Sequence, residues 1–79
     1  MTCTVKLIWS SESNSWRTET DDIPGLLLGS NSFDALVEKV RMAAPEMLEL
    51  NCGYTGEVKL LFEAEREETV PDGRLYTSA

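Results

Sequence analysis

The chain has 79 residues, seven basic and fourteen acidic, for a net charge of −7, and no histidine. A chain this short forms one domain and buries only about 60% of its unfolded surface, so a small core is expected and oligomerisation would help stability. The acidic balance argues against nucleic acid, which wants a basic footprint, and allows a basic protein partner to be steered in. Without histidine, Ser-His-Asp and Cys-His catalysis and imidazole metal sites are excluded. No metal or cofactor is expected.

The first strand is expected over residues 3 to 9. Cys3, Val5, Leu7 and Trp9 share one face, and Thr4, Lys6 and Ile8 the other, which is the period of a half-buried strand. Residues 10 to 14 are a polar hairpin connection. The strand returns over 15 to 20, with Trp16 and Thr18 inward. Trp16 is expected in the core, and Trp9 is open to either core or partner contact.

Next comes Asp21-Asp22-Ile23-Pro24-Gly25, whose chemistry is that of a defined turn. Asp22 can bond its own backbone two residues on, Pro24 fixes φ, and Gly25 supplies positive φ. Turn formation and capping outweigh acid–base catalysis for the paired carboxylates, because nothing in the pattern suggests a substrate pocket. Leu26 to Leu28 are expected to form a short third strand ended by Gly29. Ser32 is the expected helix N-cap, with Asp34 in the first turn. Phe33, Leu36, Val37, Val40, Ala44, Met47 and Leu48 then form one apolar stripe at helical spacing. Pro45 interrupts the pattern, so a bent helix ending near Asn51 is expected.

After a glycine-containing loop, residues 57 to 65 alternate as a last strand. Leu61 lies opposite Phe62, so both faces are partly apolar, which favours a protein contact. Val58, Leu60, Leu61 and Phe62 are the candidate interface. Residues 67 to 79, with the turn-like Pro71-Asp72-Gly73 and with Leu75 and Tyr76 as possible anchors, are expected to be loosely ordered. Cys3 reads as a small buried hydrophobe and Cys52 as a loop thiol. No apolar run approaches membrane-spanning length. Met1-Thr2-Cys3-Thr4 has neither a basic start nor a long apolar run, so a cytoplasmic chain with reduced thiols is expected.

The order Thr4-Val5-Lys6-Leu7, Ser15-Trp16-Arg17-Thr18, Asp21 to Gly25, then Ser32-Phe33-Asp34-Ala35-Leu36 resembles the HicB antitoxin core domain. The continuation Ala44-Pro45-Glu46-Met47-Leu48-Glu49-Leu50-Asn51 looks like a stand-alone relative usually labelled only as a domain of unknown function. The likeness covers about residues 3 to 65. It implies an α+β fold of HicB-like β-β-β-α-β order, an antiparallel sheet with one helix packed on one face, over residues 1 to 66. It also implies a protein-binding module that covers a small ribonuclease toxin of the HicA type. HicA relies on a histidine, so this chain is not that toxin. Full-length HicB antitoxins add a C-terminal DNA-binding segment, which residues 66 to 79 do not supply. The alternative is a self-associating small domain, most simply a dimer, with no toxin partner. Neither reading makes the chain an enzyme.

Overall fold

A computed structural model describes residues 1–70. The element order is β1 (Thr2–Ser10), β2 (Ser15–Glu19), β3 (Gly29–Ser30), α1 (Phe33–Cys52) and β4 (Lys59–Glu65). The fold is the expected α+β arrangement, a four-stranded sheet with one helix against it. The sheet runs β3-β2-β1-β4. The expected tail over 67 to 79 falls, for residues 71 to 79, outside the described residues.

β1 and β2 form the hairpin, with Trp9 opposite Trp16 and Leu7 opposite Thr18. Asn14 closes it at φ 49°, a left-handed conformation that asparagine tolerates. One correction concerns β4, which pairs with β1 in parallel from Thr2–Lys59 to Ile8–Glu65. The sheet is therefore mixed rather than wholly antiparallel. The reason is geometric. A single helix carries the chain back along the sheet, so the strand after it runs like the strand before it. β3 is antiparallel to β2, hence aligned with β1, and β4 follows.

A second correction concerns the third strand, which is Gly29–Ser30 and not Leu26–Leu28. Thr18 is the cause. Its hydroxyl accepts from the Leu28 N–H at 3.0 Å and donates to the Leu26 carbonyl at 3.3 Å. A side chain thus takes backbone groups that a ladder would use. Leu26 is buried under the helix while Leu27 is 86% exposed.

α1 starts at Ser32, whose extended backbone (φ −115°) and side-chain oxygen cap the Ala35 N–H at 3.3 Å. Leu36, Val40, Ala44 and Leu48 are fully buried at i, i+4 spacing, flanked by half-buried Phe33, Val37 and Met47. These side chains cover Cys3, Val5 and Leu7, all of zero exposure. Burial of each large aliphatic group stabilises by about 1.5–3 kcal/mol. α1 continues through Pro45 to Cys52. Pro45 has no N–H to donate and leaves one helical bond unmade. Gly53 (φ 64°) ends the helix. Its N–H goes to Glu49 O and the Tyr54 N–H to Leu48 O, both at 3.1 Å, the paired closure of a left-handed C-terminal cap.

Ile23 to Leu26 is a turn with Pro24 and Gly25 central, closed by Leu26 N–H to Ile23 O at 3.3 Å. Gly25 has φ 83°, and a Cβ there would come within 2.7 Å of Met47 Cε and 3.0 Å of Asn51 Nδ2. The Asn51 amide also donates to Pro24 O at 2.8 Å, so the helix end clamps the turn. We expect Gly25→Ala to cost about 1–2 kcal/mol, from positive-φ strain plus displacement of the Met47 methyl. A urea midpoint equal to wild type would contradict this.

Candidate functional site

Two features of the sheet are available to a partner: one face and one edge. The helix covers a single face. On the other lie Thr4, Lys6 and Ile8 of β1, Arg17 and Glu19 of β2, and Lys59, Leu61, Glu63 and Glu65 of β4. No second layer covers this face among the described residues. Leu61 is 55% exposed there. A shallow groove of about 180 Å³ runs across it, lined by Thr4, Lys6, Glu19, Thr20, Asp21 and Glu63. Three carboxylates face one ammonium in that lining, so the groove is locally acidic. An exposed pair, Lys6 Nζ to Glu65 Oε2 at 3.5 Å, lies on the same face; such pairs contribute little to stability.

The groove's end is shaped by an exchange of side chains for backbone. Beyond Glu19 the chain leaves β1, and Thr4 would lose its partners. The Asp22 carboxylate takes the Thr4 N–H at 2.7 Å, and the Thr20 hydroxyl donates to Thr4 O at 2.6 Å. Thr20 also accepts from the Asp22 N–H at 3.1 Å. Asp22 therefore serves β1 across the sheet, not the residue two positions on as its turn chemistry suggests. The long reach from Asp22 to Thr4 carries no sequence-local signal.

The edge is β4. The Lys59 N–H donates to Met1 O at 2.8 Å. Odd-numbered residues of β4 thus aim their backbone groups at β1, and Leu60, Phe62 and Ala64 aim theirs outward. No strand lies beyond β4 among the described residues. Of the candidate interface residues, Leu61 points to the open face. Val58, Leu60 and Phe62 are half-buried and pack against the core, and Ala64 is exposed. Ser32, Pro24 and Gly25 sit apart from both features, in the support of the helix.

Trp9 and Trp16 lie on the helix face. Trp16 packs edge-on against Trp9 (centroids 5.3 Å) and Phe33 (5.1 Å). The Arg66 guanidinium covers the Trp9 ring at 4.2 Å while its Nε donates to Glu68 Oε1 at 2.6 Å. Trp9 is thus occupied from within by a cation–π contact. No sequence spacing pointed to Arg66. Among the described residues, no group of three His, Cys, Asp or Glu side chains gathers as metal ligands would. No helix there is long and apolar enough to cross a membrane.

A family model described as "Domain of unknown function (DUF1902)" matches residues 2–71. The chain belongs to this family. The DUF1902 chain is also similar to a solved structure, the crystal structure of a hypothetical protein from the extremely thermophilic bacterium Thermus thermophilus. That structure shares 32% identity, covers 89% of this chain and 100% of that one, and superposes with a TM-score of 0.76. No curated protein matches the DUF1902 chain.

The two thiols of this DUF1902 chain differ. Cys3 is buried and Cys52 exposed. Burial first, then the neighbouring Asp22 charge, pushes the Cys3 thiol above its ordinary value. The folded state therefore keeps this proton longer than the unfolded chain does. The stability it confers is complete below the ordinary thiol range and declines as pH rises through that range. We expect Cys3→Ala to flatten that alkaline decline relative to wild type in denaturation curves at successive pH values. Equal slopes would show that Cys3 is not its source.

Proposed function

We propose that this DUF1902 domain is a HicB-like protein-binding module, and that the open face of its sheet receives a small basic protein, of which a HicA-type ribonuclease toxin is the example. The observation that carries this reading is the acidic groove on an uncovered sheet face, lined by Glu19, Asp21 and Glu63 beside exposed Leu61. Three carboxylates around this groove favour arginine or lysine side chains, and the net charge of −7 steers a basic partner toward them. The order of elements supports it too, since the HicB-like pattern of residues 3 to 65 spans the whole sheet-and-helix unit. In this reading the chain acts by covering the partner's RNA-binding surface, in the cytoplasm, and performs no chemistry itself. Without histidine it has no imidazole base to offer a substrate.

The test takes any short basic protein encoded beside this chain as the candidate partner. RNA cleavage by that protein is measured with and without the domain, alongside their affinity. Inhibition at stoichiometric ratio is expected, and the double reversal Glu19→Lys/Glu63→Lys should weaken binding about tenfold or more, chiefly through the association rate. Binding with no effect of the reversal would move the contact off this face. No binding at all would overturn the reading.

A further inference from the structure

We infer that β4 pairs with β4 of a second copy across a two-fold axis centred on Phe62, making one continuous eight-stranded sheet. Three observations carry this.

The first is the state of the two sheet edges. β3 has two residues, too short to serve as a template, whereas β4 has seven without proline or glycine. Among the described residues nothing pairs with that edge, and a long edge with free backbone groups is the form natural sheets otherwise avoid.

The second is the direction of those groups. Leu60, Phe62 and Ala64 aim N–H and C=O outward, as the Lys59 bond to Met1 requires. In antiparallel self-pairing about Phe62, Phe62 meets its own copy, and Leu60 meets Ala64 of the other. All three outward residues then fall in hydrogen-bonded positions.

The third is side-chain complementarity. The strand Lys59–Glu65 is symmetric about Phe62, so this register uses its whole length. On the helix face it sets half-buried Phe62 against Phe62, and Leu60 against exposed Ala64, extending the apolar row that α1 covers only in part. On the open face it sets Lys59 against Glu65, opposite charges in both symmetry-related places. A register centred on Leu61 also sets Lys59 against an acid, Glu63, but pairs only residues 59 to 63 and leaves the last two residues of β4 without partners. One centred on Glu63 puts that acid against itself. Like charges directly opposite are destabilising, so charge excludes the Glu63 centre and the full paired length favours Phe62 over Leu61.

This contact uses the edge and not the face, so it stands apart from the basic-partner reading. A dimer that ignores the basic protein, or a monomer that binds it, tells the two apart.

Sedimentation velocity of the full chain from micromolar to several hundred micromolar is the test. Wild type should move toward twice its 8.8 kDa mass. Ala64→Pro removes an outward N–H while leaving the bonds to β1, and should give monomer. Lys59→Glu and Glu65→Lys should each weaken the dimer about tenfold, since two symmetry-related pairs turn from attraction to repulsion. The double variant Lys59→Glu/Glu65→Lys should return close to wild-type affinity. Within one copy these residues sit at opposite ends of β4, so only contact between copies gives that rescue. A wild type that stays monomeric throughout overturns the inference. So does a dimer indifferent to Ala64→Pro in a variant that still folds, or a double variant no tighter than the single ones.

Discussion

The structure turns on the capture of Thr4. A strand in the middle of a sheet must have both rows of backbone groups paired, and β1 is one of the two inner strands of this one. β2 ends at Glu19, opposite Lys6 and two residues short of the position that faces Thr4. The Asp22 carboxylate and the Thr20 hydroxyl supply what the backbone does not, at 2.7 and 2.6 Å. A hydrogen bond to a charged acceptor contributes about 1.5–3 kcal/mol, more than a neutral backbone bond. This lets the chain leave the ladder without stranding Thr4, and the departure brings Ile23 and Leu26 beneath the helix.

The rest follows in order. With Ile23 1% and Leu26 3% exposed, the turn becomes part of the core. Asn51 holds its Pro24 carbonyl, and Thr18 holds the Leu26 and Leu28 backbone. β3 starts late, and Lys39 reaches back from α1 to Gly29 O at 3.0 Å. The helix buries Cys3, Val5 and Leu7 of β1 and covers β4 in part, so among the described residues the other face and the β4 edge of the sheet carry no cover. The functional proposals rest on those two surfaces, and both are consequences of having a single helix.

Much of this was legible in the sequence where local periodicity speaks. The alternation of Cys3, Val5 and Leu7 marks the buried side of β1. The stripe from Phe33 to Leu48 marks the buried side of α1, and Ser32 marks its start. What escaped local reading depends on contacts between distant residues. Leu26 to Leu28 have strand composition, yet one hydroxyl at Thr18 diverts their backbone. Asp22 reads as a residue of its own turn but serves Thr4, eighteen positions back. The parallel β4 follows from helix reversal only once β3 is placed. Arg66 lies over Trp9 because β4 ends beside it, which no spacing between them announces. For the open groove, Glu19 and Asp21 are visible as acids, but their meeting with Glu63 requires the β1–β4 register.

The most direct measurement is amide hydrogen exchange at Thr4, in wild type and in Asp22→Ala. If the carboxylate replaces the missing ladder, Thr4 should exchange as slowly as its strand neighbour Lys6 in wild type. Asp22→Ala should speed it at least about tenfold while Lys6 changes much less, as local opening requires. A Thr4 amide that already exchanges like an exposed one in wild type would contradict the account.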